Sequence, residues 1–225
     1  MQDIEKSLRM MGKKTTLTRS FAGPWASQIV SNINGYGCWC YFQDDHGKGR
    51  GSPKNEVDSL CKTLQDGYSC IMMDAMAMNE TCTPWEVPYQ AGSGLGLAAD
   101  EPENDSLEYA VRSSCESANS GDNCATRACM VESYFVMKMF GIFLGGVDFD
   151  PNLKHDLGGF DRIQECPMLG VGVEAEKECC GVYPLRYPFK VETSNGNKGC
   201  CGDKTYLSDL MMCCPGDQIE FVGTC

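Results

Sequence analysis

Apolar positions recur along this chain at two different periods, and the change of period divides it. Near the start Ile4, Leu8 and Met11 step by three and four, the spacing of one helix face, before a break at Pro24-Trp25. The run WASQIVSNI predicts a second helix, closed by Asn34-Gly35 because Asn and Gly tolerate the left-handed conformation of a helix end. Val57, Leu60, Cys61, Leu64 and Tyr68 then predict an amphipathic helix. Residues 79–123 read mostly as loop, since QAGSGLGLAADEPENDS is Gly-rich, acidic and has little to bury. The stretch from Cys124 to about Leu144 is apolar nearly all round, interrupted by Arg127, Glu132, Ser133 and Lys138. Such a helix must be covered on every side. Two covers are open: the neighbouring helix plus the C-terminal unit, or a second protein chain on the outer face. Past residue 166 the helical period vanishes, and short segments between Gly, Pro and Asp turns predict strands, with QIEFVGTC alternating like an edge.

Composition changes what those elements need. The chain has 225 residues, 16 of them cysteine, with two histidines and a net charge of −12. An even, high cysteine count favours disulfides and an oxidising compartment. Zinc is disfavoured, because only two histidines exist and no pair of C-x-x-C knuckles at ribbon spacing occurs. The cysteines form two sets of eight, Cys38, Cys40, Cys61, Cys70, Cys82, Cys115, Cys124 and Cys129, then Cys166, Cys179, Cys180, Cys200, Cys201, Cys213, Cys214 and Cys225. Two even sets predict two separately closed units, and the chain divides into an N-terminal helical segment (1–26), a helical domain (27–147), an acidic Gly/Asp linker (148–165) and a Cys-rich module (166–225). The opening MQDIEKSLRMMGKKTTLTRSF has no apolar h-region and is not a signal peptide, so secretion implies a signal already removed or an unconventional route. No apolar stretch is long enough for a transmembrane segment. The acidic balance argues against nucleic acid and against attraction to anionic lipid, and suits calcium or basic partners. Asn79-Glu-Thr and Asn104-Asp-Ser are glycosylation sequons.

Residues 27–140 carry a more specific signal: Tyr36-Gly37-Cys38-Trp39-Cys40, Gly49-Arg50-Gly51-Ser52-Pro53, then Asp58-Ser-Leu-Cys61 and Tyr68. This order resembles the secreted phospholipase A2 family. The resemblance implies a mainly α, disulfide-stapled domain in which Cys40 bridges Cys61 and the CATRAC helix packs antiparallel on the first. Leu60 and Gly67 stand where that family has cysteines, so the remaining pairings stay open. The family's chemistry uses a histidine to activate water, an aspartate beside it to hold calcium, and a glycine-rich loop whose carbonyls complete the calcium shell. Aligned on Asp58, Cys61 and Tyr68, those positions hold Leu64 and Gln65; a slide by one gives Gln65 and Asp66. Neither choice supplies a base. Ala125 follows Cys124 where the family has the aspartate that orients its histidine. The loop after Cys40, YFQDDHGKGRGSP, is longer than the family's, and its His46 beside Asp44-Asp45 reads as a solvated side chain.

The C-terminal module repeats Cys179-Cys180-Gly as Cys200-Cys201-Gly and closes on Cys213-Cys214-Pro-Gly. These repeats resemble galaxin-like modules of extracellular and skeletal-matrix proteins, and on physical grounds predict short strands held by bridges. Asp148, Asp150, Asn152 and Asp156 space oxygen atoms at alternate positions and are candidate calcium ligands, without the central glycine and closing glutamate of an EF-hand and with Lys154 among them. The expectation is a non-catalytic extracellular structural or assembly protein, a pseudoenzyme whose partners are copies of itself or other matrix-type proteins. Two rivals remain: a calcium-dependent lipase with a rearranged site, and a monomeric secreted binding protein or toxin.

Overall fold

The computed structural model describes residues 33–41, 49–91, 107–145, 149–168 and 176–225, a disulfide-rich mixed helix and sheet fold. The expected helix around Ile4, Leu8 and Met11 lies outside the described residues, and of the WASQIVSNI helix only Ile33 is seen, ahead of Gly35 at φ +75°. Helix α1 (Glu56–Ala77) starts where Asn55, in extended backbone, accepts the Asp58 N–H at 3.1 Å, with Glu56 and Asp58 in its first turn. It packs along α3 (Asn123–Leu144). Between them in sequence comes α2 (Leu107–Ala118), within a stretch expected to be loop. Only Val111, Ser114 and Cys115 of α2 are buried, too short a stripe to stand out by periodicity.

That helix settles what covers α3. One face of α3, with Val131, Phe135, Met139 and Ile142, packs with Leu64, Tyr68 and Ile71 of α1. The opposite face, with Ala128, Cys129, Met130 and Tyr134, packs with Val111 and Cys115 of α2 and with Tyr89. Every residue from 128 to 135 is buried within the single chain. Over residues 125–134 the second face of α3 is therefore covered by α2 within the chain, and Tyr183 is the C-terminal unit's contribution at its margin. Cys82–Cys124 and Cys115–Cys129 staple this sandwich. Leu60 packs against both apolar clusters, and a Cβ at Gly67 would lie 2.7 Å from Val131, so close packing occupies both positions.

The turn before α1 is fixed by one carboxylate. Asp58, fully buried, accepts the backbone N–H groups of Cys38 (2.8 Å), Trp39 (2.7 Å) and Lys54 (2.8 Å). Gly37 has φ +60°, and a Cβ there would meet the Asp58 carboxyl carbon at 2.4 Å, so no larger residue fits. Burial pushes the Asp58 carboxyl above its ordinary range, against the three N–H donors that pull it down. Cys40 is bonded to Cys61 from the same turn.

The two cysteine sets are not separately closed. Cys38–Cys166 and Cys70–Cys179 cross between them, which corrects the expectation of two independent units. The expected linker is docked: a 3₁₀ turn (Pro151–Leu153), α4 (His155–Gly158) and α5 (Arg162–Glu165) fold back on the Tyr36 turn. Leu153 accepts the Gly37 N–H at 2.8 Å, Lys154 forms a bridge with Tyr36, and Phe160 is buried beside the Cys38–Cys166 bond. Gly and Asp here serve as turn and cap residues; Asp150 and Asp161 each accept a backbone N–H at a helix start.

The C-terminal module is a chain of hairpins. Strands β1 (Lys177–Cys180) and β2 (Tyr187–Lys190) form the first, β3 (Glu192–Thr193), β4 (Gly196–Cys201) and β5 (Lys204–Leu207) a three-stranded sheet, and β6 (Met211–Cys214) and β7 (Gln218–Phe221) the last. The three sheets share no strand. They are joined by Cys180–Cys200 and Cys201–Cys213, Cys214–Cys225 ties the last hairpin to the final residue, and Cys179 anchors the series to α1. Successive residues of a strand point to opposite faces, so a pair of adjacent cysteines puts one sulfur on each side. The first two di-cysteines thus link their sheets backward and forward, and the third links back to the three-stranded sheet and on to the final residue.

Replacing Asp58 by Ala leaves one buried and two part-buried N–H donors without this acceptor, and the disulfide-bonded protein should lose about 3 kcal/mol in a denaturant titration. A loss below 1 kcal/mol would mean the turn is held by its bridges alone.

Candidate functional site

Helix α1 carries Leu64, Gln65 and Asp66 on the stretch where a hydrolytic site of this kind would need a base and a metal ligand. Leu64 is 1% exposed and is part of the apolar core shared with α3. Gln65 is also buried, and its side-chain amide donates to the Tyr41 carbonyl at 2.7 Å and, at the long limit of 3.5 Å, to that of Trp39. Both carbonyls belong to the chain that leaves the Tyr36-Cys40 turn. An amide N–H and a cation compete for the same carbonyl lone pairs, so the Gln65 NH₂ occupies the role that a bound cation would need there.

Asp66 turns away from that point and pairs with Lys62 one turn earlier. Burial pushes its carboxyl above its ordinary value of 3.8, against the pull of Lys62 and Lys177. His46, with Asp44 and Asp45, falls outside the described residues.

The buried acid that faces α1 is one the sequence reading passed over. Ala125, at the position examined for it, is buried against α2. Glu132, about two turns further along α3 and 4% exposed, accepts the Tyr68 hydroxyl through Oε1 and the Tyr89 hydroxyl through Oε2, each at 2.6 Å. Two hydrogen bonds, one to each oxygen, make burial of that side chain tolerable. The available signal was a lone glutamate in a helix otherwise apolar on all sides, a residue that needs partners inside a core. The arrangement can orient and rigidify the contact between α1, α3 and the Tyr89 segment.

The remaining candidates are dispersed. Asp148 lies outside the described residues. Asp150 Oδ1 accepts both the backbone N–H and the side-chain amide of Asn152 at 2.9 Å, and Asp156 sits 3.6 Å from the Lys154 ammonium. Two of these oxygens are thus already engaged as caps or ion pairs. Cys201, Cys213 and Asp217 cluster at metal-ligand distances, but the two sulfurs are bonded to each other and are no longer thiolate ligands. Asn79 is exposed in the left-handed conformation just past α1, whereas Asn104 is outside the described residues. All cysteines are in disulfides. Among the described residues no helix is long and apolar enough to cross a membrane. Compared with protein-family models, curated proteins and solved structures, the chain matches none.

The folded protein holds the Asp66 proton more tightly than the unfolded chain does. Its contribution to stability is therefore full below about pH 4 and is lost as pH rises through the folded pKa. The advantage of the native chain over Asp66→Asn should shrink as pH rises through that window, read from thermal unfolding at a series of pH values. A constant difference would contradict the assignment.

Proposed function

We propose that this chain is a non-catalytic extracellular structural protein, built on a phospholipase A2-like helical scaffold followed by a galaxin-like di-cysteine module, and that it self-associates. The observation that carries the reading is the pair Leu64-Gln65: an apolar side chain where water would be activated, and an amide NH₂ on the turn carbonyls that a cation would use. The Asp58-bound turn, the Cys40–Cys61 bridge and the antiparallel α1–α3 pair support the scaffold. Eight disulfides fit an oxidising, extracellular setting.

Self-association draws no support from α3, which α2 already covers. It is supported instead by the last hairpin, where Leu210, Phe221 and Val222 lie at 60, 66 and 61% exposure, with the Val222 N–H bonded to the Leu210 carbonyl across the strand pair. Adjoining apolar side chains at an exposed hairpin base are a contact surface for like chains.

Light scattering on the native protein should give a mass well above the 24.7 kDa monomer, and Phe221→Asp should lower it. A monomer in all conditions removes the self-association half of the proposal. With phospholipid vesicles and millimolar calcium, no fatty acid should be released; sustained release would favour the lipase instead.

Gln65→Ala leaves the Tyr41 carbonyl without its donor and should cost about 1–3 kcal/mol. The native chain's melting temperature should not rise when calcium replaces chelator. A calcium-dependent rise that Gln65→Ala does not alter would place the ion elsewhere in the chain.

A further inference from the structure

A groove of about 790 Å³ opens between the end of α1, α2, the first turns of α3 and the loop joining β1 to β2. Its wall carries three arginines, Arg112, Arg127 and Arg186, against two carboxylates, Asp74 and Glu116. That is a local positive excess on a chain whose net charge is −12.

The three guanidiniums are not equally occupied. Arg186 is spent: Nε and Nη2 donate to Asp74 at 3.0 and 3.1 Å, and Nη1 donates to the Gly181 carbonyl at 2.7 Å. Asp74 also accepts the Tyr183 hydroxyl at 2.9 Å, a phenol that burial and Asp74 together keep protonated. Arg112 donates through Nε and Nη2 to the Tyr183 carbonyl at 3.2 and 3.0 Å, a neutral acceptor, and pairs with no carboxylate among the described residues. Arg127 lies over the Tyr183 ring at 5.6 Å, and its nearest carboxylate oxygen is the already shared Asp74 Oδ2 at 3.9 Å, beyond hydrogen-bond reach. Glu116 forms no ion pair with any of the three, since none brings it within 4.0 Å among the described residues.

Two half-buried guanidiniums, both gathered on Tyr183, therefore face one groove with no carboxylate hydrogen-bonded to either, Arg127 having only a 3.9 Å share in Asp74. A planar guanidinium presents paired N–H donors matched to two oxygens of one anion, and it binds best where water is partly excluded. We propose that this groove is an oxyanion-binding site, in which Arg112 and Arg127 hold a carboxylate, sulfate or phosphate group, with Arg186 and Asp74 fixing the Tyr183 loop beneath it. Asp74 is the positioning residue. Its charge is consumed by Arg186, which leaves Arg127 to the ligand.

The test is calorimetric titration of the intact, disulfide-bonded protein with inorganic phosphate, sulfate and acetate in turn, at constant low ionic strength. Saturable binding at one site per chain is expected for at least one anion; a doubly charged tetrahedral group and a carboxylate are separated by which of the three saturates. Arg127→Gln and Arg112→Gln should each weaken binding tenfold or more, Arg127→Lys less, and Lys204→Gln, on an exposed strand outside the groove, not at all. Unfolding curves of the variants identify any that fail to fold, and the conservative Arg127→Lys keeps the charge if Arg127→Gln is lost. No saturable heat with any anion, or binding that both glutamine variants leave unchanged, would overturn the proposal.

Discussion

The Asp58 carboxylate is the constraint on which the helical part depends. It accepts N–H groups from a turn nineteen and twenty residues earlier and from the residue four before it, so one side chain fixes the start of a 22-residue helix and the loop that crosses it. The turn in its grip presents Tyr36 to the docked segment at 149–166, Cys40 to α1, and Cys38 to Cys166. Several small motifs are thereby referred to one buried charge. Removing its solvation is costly, and the three backbone donors are what make that burial tolerable.

Upon that frame α3 acts as a wall with apolar clusters on both sides. Ala125, Ala128, Met130 and Tyr134 face α2, Val131, Phe135 and Met139 face α1, and Glu132 sits between the two clusters with a tyrosine from each. A polar group at the seam of two apolar layers fixes their relative register, because sliding either layer would break a short hydrogen bond to a buried carboxylate. The same logic appears at Asp74, whose bonds to Tyr183 and Arg186 hold the first hairpin loop against α1. Acids, one buried and one half-buried, mark the places where one layer meets the next.

How much of this was legible depends on whether the signal is local. Helix α1 shows in sequence because Val57, Leu64 and Tyr68 repeat within it, and the strands show in the return of Gly- and Pro-bounded segments. Helix α2 does not, because Leu107, Val111 and Cys115 make a stripe one residue wide beside a Gly-rich acidic run. The crossing bridges Cys38–Cys166 and Cys70–Cys179 could not be read from spacing, which is silent about which sulfurs meet in space. At the candidate site, the missing base was visible as Leu64, a property of residue type alone. The amide on the Tyr41 carbonyl and the tyrosines on Glu132 join residues 24, 43 and 64 positions apart, and only the fold brings them together.

The di-cysteine module has a mechanical consequence. Traced from sulfur to sulfur, a load entering at α1 passes through Cys70–Cys179 into the adjacent Cys180, across to Cys200, on to Cys201 and Cys213, and from Cys214 to Cys225. The chain between 181 and 199, between 202 and 212 and between 215 and 224 lies off that line. Tension along the module is therefore borne by covalent bonds, while the hairpins and their hydrogen bonds hang beside the load path as slack that only reduction can release. The module is a tether of fixed length, able to vary its exposed turns without altering its reach.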